Sequence, residues 1–311
     1  MLNFKNATYG VLMALCLTSP LHAKISAKDS VEKAMIGLGK GVSNFTYDCQ
    51  GNDVKASCVA KKIDYEDGIG FRNVKLDYMI DNKNLNGAIS FDIQVSDPKI
   101  DKATLEFIPK RVVCSSPSNL QGKTYKGQLN CEISAPTYVL KTKGVGSMES
   151  HRFLNKDIDK VFDDLEQMLE DIDDSNMQQK LKDFKVDIRE IVLDVRGIQF
   201  ANKMFNVLKK DDPNFTKEQY NATVNMGVAM VPVGLANARV SESSLEQVSK
   251  AAAALGDIAL SKKQQAIITL KRKSAAMLEL ADLPDLIAKI DADPSALLKY
   301  LDEYEISVVT R

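Results

Sequence analysis

Between Asn44 and Lys143 the apolar positions recur every second residue, which is the period of a strand buried on one face only. Val74, Leu76, Tyr78 and Ile80 alternate with Asn73, Lys75 and Asp77. After the turn-rich stretch Asp81 to Gly87 the alternation resumes at Ile89, Phe91, Ile93 and Val95, with Ser90, Asp92, Gln94 and Ser96 between them. One apolar and one polar face predict an antiparallel hairpin with one side in water. Leu105 and Phe107 extend the pattern, Pro109 marks a strand end, and Leu129, Cys131, Ile133 and Ala135 form another half-buried run. About six strands are expected before Lys143. Gly144-Val-Gly-Ser147 then interrupts the pattern, and a domain boundary is placed there.

From Asn155 the period changes to 3.6. Ile158, Val161, Phe162, Leu165, Met168, Leu169 and Ile172 share one face, opposite Asp157, Asp163, Asp164, Glu166, Glu170 and Asp171. This predicts a strongly amphipathic helix that must lie against something apolar. Ile158, Phe162, Leu165, Leu169 and Ile172 are the candidate apolar groove between that helix and the sheet.

Val186 to Ile198 fits both a heptad and an alternating pattern, but its β-branched residues favour a strand. Helices are expected at Ser30 to about Gly39 with Asp29 or Ser30 as cap, over Phe200 to Lys210, and from Thr216 onward. Another is expected after a capping box at Ser243 or Ser244, and two more open at Pro284 and Asp293-Pro294. Ala266 to Leu270 reads as a strand with Lys271-Arg-Lys273 as its solvated end, and Tyr304 to Thr310 reads as a terminal strand. Val224 to Ala236, the most apolar run after the leader, carries Gly227, Pro232 and Gly234 and reads as a buried, bent segment. It is shorter than the stretch of about 20 residues that spans a bilayer.

The fold class expected is therefore α+β: an N-terminal antiparallel β-sheet with two hairpin disulfides, then a helix-rich half with a few additional strands. The expected division is a signal peptide over 1–23, a β domain with a short N-terminal helix over 24–147, and a helix-rich domain over 148–311. Lys5, the apolar run from Tyr9 to Leu17 and the small residues up to Ala23 have the layout of a secretory leader. Cys16 follows Leu15, where lipoprotein processing needs a small side chain. Without Cys16 four cysteines remain, an even number that in an exported protein predicts oxidised pairs. Cys49 with Cys58 and Cys114 with Cys131 are the expected pairs, because each couple flanks one turn. A tyrosine follows each second cysteine by the same interval, Tyr65 after Cys58 and Tyr138 after Cys131, which suggests one unit used twice.

Charge narrows the functions. The sequence has 41 basic and 42 acidic residues and no tryptophan, so nothing favours nucleic acid as a partner. Of two histidines, His22 lies in the leader and His151 in a polar stretch, which leaves histidine-based nucleophilic catalysis and zinc or iron sites little support. The run Asp171-Ile-Asp-Asp-Ser175 has Asn176 where a calcium loop needs glycine and Lys182 where it needs a carboxylate. No catalytic, metal-binding or cofactor-binding residue is singled out, and no cofactor is expected. The expected function is an exported, non-enzymatic envelope protein, periplasmic or secreted, that holds an apolar small molecule or lipid between sheet and helix. The alternative is a structural or adhesive protein engaging another envelope protein, and a hydrolase using carboxylates or serine without histidine comes third.

Overall fold

The computed structural model describes residues 26–42, 45–65, 68–98, 100–170, 179, 181–236, 241–282 and 299–311. The signal region, Cys16, the calcium-like run and the helices expected at Pro284 and Asp293 lie outside them. Among the described residues, six α-helices accompany a large antiparallel sheet of eleven strands, which pair in chain order except that the last strand lies beside the ninth and the two-residue tenth beside the eighth. The sheet is thus more extensive than a β half followed by a helix-rich half, and its last strand is supplied by the C-terminus. The described residues fall into two compact units, those within 1–97, 111–129 and 147–185 in the first, and those within 98–110, 130–146 and 186–311 in the second.

The first unit begins with α1 (Ala27–Leu38). Its cap is Ser26, whose Oγ accepts a hydrogen bond from the Asp29 backbone, rather than Asp29 or Ser30. The tie from Ala27 N–H to the Asp53 carbonyl fixes that earlier start. Ala27, Val31, Met35 and Leu38 are buried, and α1 packs on β2 (Lys55–Asp64) and β3 (Ile69–Ile80). Each larger side chain so buried contributes roughly 1.5–3 kcal/mol gross. β1 (Asp48–Gly51) pairs with β2 so that Cys49 lies directly opposite Cys58, and the two form a disulfide. β4 (Asn84–Val95) and β5 (Arg111–Gln121) continue the antiparallel ladder, with Ile89 opposite Cys114. Cys114, and Cys131 on β6 (Thr124–Ala135), are also disulfide-bonded.

Alternation in β2 and β3 holds but changes parity. Ala56, Cys58 and Ala60 are buried on β2, then Ile63; on β3 Val74, Leu76, Tyr78 and Ile80 are buried, but so is Phe71. The switch coincides with a register shift against β4 between Arg72 and Lys75, where Asn73 takes a positive φ of 52°. Asparagine tolerates that left-handed conformation better than other branched or bulky residues. Beyond β5 the chain enters β6 and β7 (Tyr138–Glu149), and β7 runs through Gly144-Val-Gly-Ser147 without a break. A single-turn 3-10 helix, His151–Phe153, precedes α3 (Ile158–Glu170). His151 is exposed, whereas Phe153 is buried edge-on to Phe184. Ile158 and Val161 are fully buried, and Ile158 N–H donates to the Asn82 carbonyl.

In the second unit Leu105 and Phe107 do not extend a strand. Asp101 Oδ1 accepts from the Ala103 and Thr104 backbones and starts the short helix α2 (Lys102–Leu105) instead. Phe107 then meets Phe200 edge-on, and Glu106 pairs with Lys203 at 2.7 Å, both on α4 (Phe200–Asp211). The ambiguous segment is a strand, β8 (Lys185–Gly197), paired with β9 (Gln265–Arg272). β9 also pairs with β11 (Tyr304–Thr310), and the two-residue β10 (Leu278–Glu279) joins β8. α5 (Lys217–Ala236) and α6 (Glu242–Ala259) complete the unit. α6 is capped by Ser241 rather than by Ser243 or Ser244, because Asp302 grips Ser241 through both its N–H and its hydroxyl. Ala254, Ile258 and Ala266 form a small core with Val195 and Val308.

Two readings of this unit are corrected. Arg272 is not a solvated strand end: its side chain is 4% exposed, donates to Asp187 at 3.0 Å and pairs with Glu303 at 2.9 Å. Burial disfavours its charge, but the hydrogen bonds to Asp187 and Glu303 outweigh this and raise its pKa. Val224 to Ala236 is not buried throughout but forms most of α5, a helix with one covered and one open side.

Candidate functional site

The interior of the first unit is apolar apart from a small group of hydroxyls and the Asn119 amide, whose Oδ1 is buried without a hydrogen-bond partner. Tyr78 points inward from β3, in line with Val74, Leu76 and Ile80, and is 5% exposed. Its direct neighbours across the two flanking strands are Ala56 and Gly87, the smallest side chains available, so the ring is bracketed by room rather than bulk. Ser30, from α1, is 8% exposed. Neither the Tyr78 hydroxyl nor Ser30 Oγ completes a hydrogen bond. Ser30 nevertheless lies near enough to favour the ionised phenol slightly, against the larger effects of burial and of the Tyr125 phenol, which push the Tyr78 pKa well above its ordinary value.

Tyr125 on β6 extends this group. Its hydroxyl donates to Ser118 Oγ at 2.7 Å, and Ser118 donates in turn to the Leu85 carbonyl at 3.2 Å. Burial raises its pKa, with the Ser118 hydrogen bond opposing. The Tyr125 ring meets Phe162 of α3 edge-on, with centroids 5.6 Å apart. A line of contact and electrostatic influence therefore runs from Phe162 through Tyr125 and Tyr78 to Ser30, between α3 and α1.

The residues expected to line the groove divide along this line. Ile158 is buried in the core, and Phe162 and Leu165 are half-buried. The Leu169 side chain and Ile172 lie outside the described residues. The alternation identified Tyr78 only as an inward strand position, and Ser30 only as a cap candidate. The signal available was a phenol among aliphatic inward residues.

A leftover hydroxyl in an apolar interior has limited chemistry. Burial of an unpaired hydroxyl costs about 1–3 kcal/mol, so native interiors pair such groups, with water or a ligand where protein partners are lacking. What the pair can do is donate to, or accept from, one polar group on an otherwise apolar molecule.

An open concavity of about 570 Å³ also lies in the first unit, lined by Tyr47, Asp48, Val59, Lys61, Asn73 and Lys75 among others. Its charges are mixed: Lys75 is held by Asp77 at 2.8 Å, and Asp48 accepts from Gln50. Asn73 turns its amide away to Asp92. Opposed charges open to water make a solvated surface rather than a selective site.

Among the described residues no three His, Cys, Asp or Glu side chains gather where a metal ion could be held. None of the described helices is long and apolar enough to cross a membrane. No protein-family model matches the chain, and no curated protein matches it.

Proposed function

We propose that the chain is an exported, non-enzymatic protein of the cell envelope that holds an amphipathic apolar molecule, of lipid type, between the first unit's sheet and its helices α1 and α3. The observation that carries this reading is the Tyr78–Ser30 pair of hydroxyls, close to each other, buried in an apolar interior beside Tyr125 and without a completed hydrogen bond. Binding sites for small apolar molecules combine hydrophobic walls with a few placed polar groups. In this reading the two hydroxyls fix the ligand's single polar group, and Phe162 and Leu165 contact its chain. The disulfide of Cys49 with Cys58 and the oxidised state of Cys114 and Cys131 support an oxidising compartment such as the periplasm or the cell exterior.

The test is organic extraction and native mass spectrometry of the purified mature chain, beside the Tyr78→Phe variant. A lipid-like mass released from the wild type and reduced at least tenfold in the variant supports the reading. A clean protein mass, together with no uptake of a fluorescent fatty acid, counts against it. A structural role that engages another protein is the second reading, favoured by the open apolar side of α5.

A further inference from the structure

Strand register sets three rows of inward residues side by side beneath α1. Cys58, Leu76, Ile89 and Cys114 form one row, and Ile80, Leu85 and Ser118 form another. Between them runs the row Ala56, Tyr78, Gly87 and Ser116. The phenol therefore rises from the row with the smallest side chains and has aliphatic side chains on both flanks. Ser30 comes to it from α1, close enough to act on the phenol, and both residues are more than nine-tenths buried.

The polar groups of this interior are neutral. Among the described residues the first unit's buried polar side chains are Ser26, Ser30, Ser118 and Ser150, with the Tyr78 phenol, whereas the buried ions Asp187 and Arg272 belong to the second unit. Charges on the elements around Tyr78 are engaged or exposed. On α1 Lys28, Asp29 and Lys33 are exposed, and Glu32 accepts from the Tyr47 hydroxyl. Lys75 pairs with Asp77 on β3, Asp92 of β4 with Arg111 of β5, and Lys160 with Asp163 on α3. On β2 Lys55 and Lys61 are exposed, as is Lys126 on β6.

Given the ligand reading proposed above, on which this assignment rests, we infer that the molecule held here is an uncharged lipid whose polar end is a hydroxyl, of the class of long-chain alcohols and acylglycerols. The Tyr78 and Ser30 hydroxyls each offer one donor and an acceptor, and neither completes a hydrogen bond. A ligand hydroxyl between them accepts from one and donates to the other, which satisfies both. A carboxylate or phosphate in the same place would lose its hydration and meet no cation among the described residues, and an ion buried without a countercharge is poorly tolerated. A fatty acid therefore enters only as its neutral acid, whose carboxyl also donates and accepts.

Equilibrium dialysis of the delipidated mature chain with dodecanol, dodecanoic acid and dodecyl phosphate, at about pH 5.5 and about pH 7.5, reads the charge preference directly. Dodecanol binds with one Kd at both values, which shows that the protein's own titration does not intervene. Dodecanoic acid binds roughly 100-fold more weakly at the higher pH, because its neutral fraction falls about tenfold per unit. Dodecyl phosphate binds at least about 100-fold more weakly than dodecanol at either pH. Dodecyl methyl ether, which accepts but cannot donate, binds about tenfold more weakly than dodecanol, and Tyr78→Phe weakens dodecanol by about the same factor. Equal affinity for dodecanoic acid at both pH values, dodecyl phosphate as tight as dodecanol, or an ether as tight as the alcohol overturns the inference and leaves the lipid reading standing. Failure of every one of these ligands to bind overturns both.

Discussion

In the first unit the deeply buried polar side chains Ser30 and Tyr78 are neutral and incompletely partnered; in the second, Asp187 and Arg272 are charged and held by further ions. Arg189 adds a contact of 2.6 Å to Asp187, so that carboxylate answers two guanidinium groups. A buried charge cannot persist without such partners, because the desolvation of each ion costs several kcal/mol. A lone hydroxyl can persist, at a smaller cost that removal of its oxygen would recover. The contrast separates a cluster whose opposite charges answer one another, with only the Arg272 Nε left without a partner, from one whose two hydroxyls complete no hydrogen bond to the protein around them.

That difference in sign is open to experiment. The largest effect is expected from Arg272→Ala, which leaves Asp187 buried with Arg189 alone and should cost about 3–5 kcal/mol. Urea denaturation measures it, and a loss under 1 kcal/mol would show that the cluster is solvated. Next is removal of the Cys49–Cys58 bridge by the double change Cys49→Ser/Cys58→Ala. The loop it closes is short, and a loss of about 2–3 kcal/mol is expected. Tyr78→Phe should move the other way, stabilising the ligand-free chain by about 1 kcal/mol because an unpaired hydroxyl disappears. A destabilised variant would mean that the hydroxyl already has a protein or water partner.

The smallest effect concerns Asp302, which hydrogen bonds from Ser241 and then Ser244 hold below the ordinary aspartate range while Lys273 adds attraction. A depressed carboxylate contributes its stability in full above its unfolded-state pKa of about 4 and loses it as pH falls through the folded-state value. Amide exchange at the start of α6 should therefore accelerate below about pH 4, and Asp302→Asn should remove that acceleration.

Local patterns made much of this fold legible. Cys49 and Cys58 flank one short turn, and that proximity in sequence becomes direct opposition across a hairpin. The β-branched density of Val186 to Ile198 outweighed its heptad, and β8 is a strand. What depends on distant partners was not legible. Lys271-Arg-Lys273 looks solvated until Asp187 is brought to Arg272 from 85 residues away. Leu105 and Phe107 alternate as a strand would, yet Asp101 caps a helical turn there and Phe200 receives Phe107. The apolar run in α5 gave hydrophobicity without saying how many sides would be covered. Tyr78 was legible as an inward residue, but the incomplete hydrogen bonding of its hydroxyl depends on Ser30, Gly87 and Ala56 being assembled around it.

The claim that the buried hydroxyls of the first unit form a ligand site meets its most direct test in paired measurements on Tyr78→Phe: ligand recovered by native mass spectrometry, and unfolding free energy of the delipidated chain. The account predicts opposite directions, with less bound lipid and a more stable empty protein. Unchanged lipid with the same gain in stability, or no lipid in either protein, would contradict it.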